Sequence, residues 1–571
     1  MSETISSPGV VLNENNQSFT TSQPIEVSSA IVGPTVKGPV EVPTVVTSYS
    51  EYVNTFGSEF VSGSKIHTFL TSISAFNYFE RGGTSLLVTR VTSGSFTPAT
   101  SSFISGSDTP NNVFEIETLS EGEIMNSESP EFPNGALPSG STDNLRFEIT
   151  TIDTSSGTFN LLIRRGDDNT NSPVVLENWR NLSLDPFNPN YIEKVIGNQK
   201  SQLSNDGGEY FIEMLGEYPN QSNYVRVKKV NNKTPNYLDN NNNPLPQYVD
   251  KLPIPQRGTF GGAIGSILPS GVGNYYKNID NNNTQGLQAS DYQNVLNLLG
   301  NREEYKYKYI TVPGLIYSLS THTPLLNQLI TRCRERGDTL AVIDTMPYGS
   351  MVNPTVNSTS PLDNTYAATY WPWVQTIDPN SGENIWIPAS TLIPSVYAFN
   401  DLVAEPWFAP AGTSRGLLPT VLRAERNLQK PTRDLLYKAN INPLITTPNL
   451  GVVVFGQKTL PKQKSALDRV NVRRLLIELK NFVENVANTL VFEQNTVATR
   501  NEFLSEVNPF LNSVQQREGL DDFRVIMDET NNTPTTIDNN ELIGQIFIKP
   551  TKTVEFIIID FNITPSGVTF E

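Results

Sequence analysis

The sequence predicts a multidomain chain of mixed α/β and α+β class. Its parts are an α/β core, a strand-rich insertion domain within that core, an α+β carboxyl-terminal domain and extended arms at both ends. Three observations predict it. Strand and helix periodicities alternate up to about residue 94 and again from about 285. A Ser-, Asn- and Thr-rich stretch separates the two blocks. Beyond residue 418 come amphipathic helices followed by strand-like segments.

The first 25 residues are polar with one apolar patch, GVVL, and read as an arm. IEVSSAIVG is a strand ended by GP and KGP turns. SYSEYVNTFG is a short helix, with Ser48 or Ser50 as N-cap and Gly57 as stop. KIHTFLTSISAFNYFERGG has apolar residues at Ile66, Phe69, Leu70, Ile73, Phe76 and Phe79, which predicts a helix stopped at Gly82-Gly83. His67 would lie within that helix as a packed or surface residue. TSLLVTRV is the next strand. In the insertion, LRFEITTID, GTFNLLIRR and NYVRVKKV are strands, and NLSLDPFNPNYIEKVI is a turn and short helix.

From Gln285 the alternation returns. SDYQNVLNLLG is a helix, YKYITVPGL a strand, TPLLNQLITRCRERG a helix and DTLAVIDTM a strand. Two strands around a helix make a βαβ unit with a parallel pair. Next, LPTVLRAERNLQKPTRDLLYKANIN reads as helical and GVVVFGQKTL as a buried strand. DRVNVRRLLIELKNFVENVANTLVF is a long amphipathic helix whose apolar face holds Val472, Leu475, Leu476, Leu479, Phe482, Val483 and Val486. TRNEFLSEVNPFLNSVQQREG is another helix. FRVIMDET, ELIGQIFIKP and TVEFIIIDFNI read as three strands of a mostly antiparallel sheet. The expected division is 1–25, 26–94, 95–284, 285–418, 419–563 and 564–571.

Composition narrows the chemistry. The chain has 571 residues, one cysteine (Cys333) and two histidines (His67, His322), which exclude a disulfide framework and leave no basis for a zinc site. Cys333 falls on a helical pattern, so a packed thiol competes with a Cys333–His322 nucleophile pair and is the better account. GTFGGAIGSILPSGVG lacks the GK[ST] and strand–helix setting of a phosphate loop and reads as a turn-rich boundary. Asp344 follows a strand, where α/β enzymes place acids. It has no partner base in the sequence pattern and reads as a strand-end cap. Trp371, Trp373 and Trp386 cluster without nearby basic residues, which points to core or a protein contact. The opening residues lack the basic start and apolar core of a secretory signal, so that export route is not expected. No stretch approaches the length of a membrane helix.

A net charge of −17 argues against a general nucleic-acid binder. The charge is uneven: Arg423 to Lys480 holds 12 Lys/Arg and 4 Asp/Glu, a net of +8, so the rest carries −25. Either this region faces an acidic partner or it is a solvated surface.

The motifs in order resemble the contractile tail sheath proteins of contractile-tailed bacteriophages. SPGVVLNEN looks like the family's arm motif, and SSAIVGPTVKGPVEVPTVVTSYSEYVNTFG with FNYFERGGTSLLVTRV like the start of its core. TYAATYWPWV and IPASTLIPSVYAFNDLVAEPWFAPAGTSRGLL are similar to its central signature. VVVFGQKTL, SALDRVNVRRLLIELK, FRVIMDETNNTPTTIDNNELIGQIFIKP and TVEFIIIDFN match its carboxyl-terminal domain in order. The resemblance covers roughly 1–92 and 285–571.

It implies a structural subunit, with no catalytic site, metal or cofactor. The subunit would polymerise helically around an inner tail tube and contract on a baseplate signal to drive the tube through the host envelope. Implied partners are copies of itself, the tube, baseplate and tail terminator proteins, without nucleic acid or membrane insertion. The implied location is the virion tail, assembled in the host cytoplasm. An amino-terminal strand at Pro8, Gly9, Val10, Val11 and Leu12 would join a neighbour. So would a carboxyl-terminal arm with Val568, Thr569 and Phe570, hinged at Pro565 and Gly567. Val554, Phe556 and Ile558 would belong to the accepting sheet. The basic cluster Lys458, Lys462, Lys464, Arg469, Arg473, Arg474 and Lys480 is expected to face the tube or a neighbour. For Arg473 and Arg474 an ion pair inside the subunit is the equal alternative. A baseplate or receptor-binding component, or the sheath of a related injection machine, is the alternative function.

Overall fold

The structure is a computed structural model and describes residues 25–62, 65–106, 111–127, 131–265 and 276–555. Its centre is a nine-stranded sheet. In spatial order the strands are Thr44–Val46, Leu86–Arg90, Ile25–Gly33, Tyr305–Ile316, Leu340–Asp344, Ala367–Trp371, Asn442–Thr447, Gly451–Val454 and Leu417–Leu418. The six strands from Leu86–Arg90 to Asn442–Thr447 run parallel; the two ends are antiparallel. The interruption is closed by direct pairing: Val27 sits opposite Tyr307 and Ala30 opposite Ile310. Both sheet faces are covered, as parallel sheets require. Helix Thr323–Arg336 packs Leu326, Leu329, Ile330 and Cys333 on one face, and helix Ile393–Val403 packs Ile393, Val396 and Tyr397 on the other. Gly337 ends the first of these helices at φ 75°, a left-handed position that suits glycine.

The insertion folds around its own core. Strands Leu145–Asp153, Thr158–Arg165, Val175–Ser183 and Gln256–Thr259 form one antiparallel sheet, and Pro98–Ile104, Asn112–Glu121 and Val225–Val230 another. Phe103, Phe114, Phe147 and Phe159 stack between them. A buried ion cluster stiffens one end: Asp168 accepts from Arg146 at 2.9 Å and from Arg164 Nε at 2.7 Å. The hairpin Lys200–Asp206 with Glu209–Leu215 reaches back to the core, where Leu203, Tyr210 and Ile212 pack near Tyr292 and Val295.

Several expectations need correction. The helix expected from Ile66 starts at Leu70; Lys65–His67 is a short strand paired with Phe60–Ser62, and His67 stacks on Phe60. Apolar spacing continued past the helix because Phe69, buried as its N-cap residue, and Ile66, 40% exposed on the strand, happened to share it. The helical reading of LPTVLRAERNLQK fails as well: strands Leu417–Leu418 and Val421–Ala424 precede a helix at Lys430–Lys438. The central sheet therefore runs on to Val454, and residues 419–454 pack with the core instead of the terminal helices. Tertiary pairing has overridden local helix propensity.

The terminal domain is a helical hairpin, Val470–Thr489 and Val497–Gln516, backed by the antiparallel pair Leu520–Ile526 and Gln545–Pro550. Leu475, Leu479, Phe503, Val507 and Leu511 form its core with Trp407. Phe482 stacks on Phe510 with ring centres 3.7 Å apart. The expected third strand is not present at Val554, which is exposed and outside any strand; Phe556 and Ile558 lie outside the described residues. No helix among the described residues is long and apolar enough to cross a membrane.

Candidate interaction surfaces of the terminal domain

The basic cluster separates into three environments. The first turns of helix Val470–Thr489 are wedged between the terminal domain and the core sheet, with Val470 and Ile477 in the core cluster and Leu475 and Leu479 in the terminal one. Residues Val470 to Leu475 are therefore buried right round the helix. Arg473 and Arg474 are 2% and 1% exposed. Arg474 donates from Nε to the Tyr309 hydroxyl at 2.7 Å and pairs with Asp401. Burial works against its charge, but Asp401 and the phenols of Tyr309 and Tyr397 outweigh it and hold the guanidinium protonated. Arg473 stacks 3.8 Å over Tyr366 and donates to the Thr365 carbonyl at 3.1 Å; burial lowers its pKa. Arg474 makes the ion pair within the subunit, whereas Arg473 is enclosed there against an aromatic ring and a carbonyl, with no carboxylate partner among the described residues.

The second environment is a clamp on the last described residues. Arg469 grips Glu555 through Nε at 2.7 Å and a terminal nitrogen at 2.9 Å, a two-point fork. Tyr437 and Gln457 also donate to that carboxylate, and Asn471 donates to Thr553 at 3.1 Å. Burial pushes the Glu555 carboxyl up, but the bonds from Arg469 and Tyr437 prevail and its pKa is lowered overall. Lys458 is turned the same way, donating to the Tyr437 carbonyl at 2.8 Å; burial and the Arg469 charge lower its pKa. Nothing in the sequence pattern pairs residue 469 with 555; only their shared acid–base character hinted at it.

The third environment is surface. Lys462 and Lys464 are exposed on the loop before the helix. Lys480 is also exposed, touching the Gly337 carbonyl at 3.3 Å and the Tyr366 hydroxyl at 3.2 Å. The arm residues Pro8, Gly9, Val10, Val11, Leu12, Pro565, Gly567, Val568, Thr569 and Phe570 lie outside the described residues.

The residues considered for catalysis are buried. Cys333 is buried and its thiol pushed up to about 12 by burial. His322 accepts from the Ile316 amide at 3.0 Å. Asp344 accepts from the amide and hydroxyl of Ser390 and ties the core strand to the turn Ala389–Thr391. Trp371, Trp373 and Trp386 are core residues. Among the described residues no group of His, Cys, Asp and Glu is arranged to hold a metal ion.

Residues 285–460 match the phage tail sheath protein central domain, and residues 462–564 the phage tail sheath C-terminal domain. Residues 285–564 thus belong to the phage tail sheath family. The first match covers the parallel half of the sheet and its antiparallel rim; the second covers the helical hairpin and its strand pair. A tail sheath protein of Vibrio phage KVP40 is 37% identical over 235 residues, 40% of this chain and 35% of that protein. The tail sheath protein of Enterobacteria phage T4 is 33% identical over 210 residues, 37% of this chain and 32% of that one. The matched region thus spans about a third of the length of these curated relatives. In fold, the crystal structure of a sheath tail protein from Listeria innocua superposes with a TM-score of 0.55, covering 93% of this chain and 96% of that one at 11% identity. The sheath fold therefore extends over the first half of the chain, beyond the matched domains.

Proposed function

We propose that this chain is the structural subunit of a contractile tail sheath. It polymerises helically around an inner tail tube and contracts to drive the tube through the host envelope. The tandem of central and C-terminal sheath domains is the observation that carries this reading. The baseplate and receptor-binding alternative is not favoured. The chain works without catalysis, by storing free energy at assembly in one packing of rigid bodies and releasing it in another. Its other partners would be the tube, the baseplate and a tail terminator, in a tail assembled in the host cytoplasm.

The arms about 1–25 and 564–571 would hand strands to neighbouring subunits. The clamp on Glu555 supports this reading, because it fixes the root from which the terminal arm departs. A rigid root lets bodies rotate while an arm stays paired. Lys462, Lys464 and Lys480 are the members of the basic cluster still placed to meet an acidic tube or neighbour. Electron microscopy of the purified chain tests the main reading: striated tubes are expected, and discrete closed particles would reject it. Removing residues 1–20 or 564–571 should leave a folded subunit that no longer polymerises; normal tubes from either truncation would reject strand exchange.

A further inference from the structure

The turn joining the two terminal helices carries an apolar tip. Phe492 is 100% exposed and held at φ 72°, a conformation unusual for a bulky side chain. Val491 and Val497 beside it are more than half exposed. Along the border between the same domain and the core runs a groove of about 490 Å³, whose apolar lining is Leu476, Leu479, Val483, Ile546 and Ile548. The charges at the two places complement each other. Glu493, next to the tip, is exposed, and Lys480 on the groove rim meets a carbonyl, a hydroxyl and the Tyr366 ring but, among the described residues, no carboxylate. The other charges along the rim pair with each other, Arg302 with Glu484 and Arg336 with Asp338.

We propose that the Val491–Phe492 tip of one copy seats in this groove of the next copy, with Glu493 meeting Lys480. The tip cannot fill its own groove, since the helix that lines the groove carries the tip away from it and Phe492 is fully exposed. Because tip and groove are different places on one chain, the contact is head-to-tail and repeats without closing. Such a contact adds a side-chain anchor to a sheath polymer, independent of strand exchange; it rests on the polymer reading above.

The test uses the full-length chain. Phe492→Ser should leave the melting temperature unchanged, because the side chain touches nothing in the subunit, and should raise the concentration needed for sedimentable polymer at least tenfold. Glu493→Lys and Lys480→Glu should each weaken assembly, and the double swap should restore it. Mixing a Phe492→Cys chain with a Val483→Cys chain should give an oxidised cross-linked dimer, with Cys333 buried and silent. Polymers indifferent to Phe492→Ser overturn this contact alone. Tip-to-tip cross-links, or cross-links from Val483→Cys to a cysteine placed at Val11 or Val568, overturn it by giving the groove another occupant. A wild-type chain that never polymerises overturns both this contact and the sheath reading.

Discussion

Lys462 and Lys464 stand in solvent on a loop, whereas Arg473 and Arg474, on the helix that follows, are among the most buried side chains of the protein. In sequence these residues form one basic run. The difference teaches that charge density locates a segment but not its surface. Where a helix is wedged between two packed bodies, long cationic side chains are enclosed with the apolar ones, and they persist because each finds a carboxylate, an aromatic face or a carbonyl. Where the chain loops out before the helix, the same charge is left to water or a partner.

The sharpest way to break this comparison is Arg474→Ala. It leaves Asp401 and the Tyr309 hydroxyl without their partner at the joint between core and terminal domain, and should cost about 3 kcal/mol in chemical denaturation. A loss below about 0.5 kcal/mol would mean that the arginine is no more structural than the lysines. Arg469→Ala should have a smaller effect on global stability, about 1 kcal/mol. Its signature should be local, with faster proteolysis after Pro550 once Glu555 is released. Unchanged cleavage there would remove the clamp from the account. Reversal of the exposed pair, Lys462→Glu with Lys464→Glu, should change stability by less than about 0.5 kcal/mol. It should nevertheless weaken assembly on tubes, more strongly at low salt; tubes formed as readily as wild type would reject the tube-facing assignment.

A separate effect, on pH dependence, distinguishes buried groups from exposed ones. Burial lowers the His322 pKa to about 4, with Asp280 pulling it partly back, against about 6.5 in an unfolded chain. The unfolded state then binds a proton that the folded state refuses, so the His322 contribution is intact at neutral pH and lost as pH falls from 6.5 to 4. Asp344 works oppositely. Burial raises it to about 6, so its contribution is present at low pH and is lost as pH rises from about 4 to 6. His322→Asn keeps an acceptor for the Ile316 amide and should flatten the acid side of the stability curve. Asp344→Asn should lift stability near neutrality relative to pH 4. Curves unchanged by either substitution would show that neither group is sealed from solvent.

The pattern of elements was largely legible in the residues. Ser48 and Gly57 cap their helix as read, with the Glu51 amide donating to the Ser48 hydroxyl at 3.2 Å. Strands Leu145–Asp153, Thr158–Arg165 and Val225–Val230 lie where alternation placed them, and the βαβ unit around helix Thr323–Arg336 is parallel. These features depend on short-range periodicity and capping chemistry, which a linear sequence displays. The interaction surfaces were less legible. The Arg469–Glu555 fork spans 86 positions, the Arg474–Asp401 pair 73, and Trp407 joins the terminal core from the central domain. The groove draws its lining from both terminal helices, a terminal strand and the end of core helix Thr323–Arg336, and the exposure of Phe492 depends on what fails to cover it. By itself, the sequence determined the class of fold, the family of its second half and the presence of a basic segment. Which of those charges are structural and which face outward was decided only by tertiary packing, because burial is a property of neighbours brought together from distant parts of the chain.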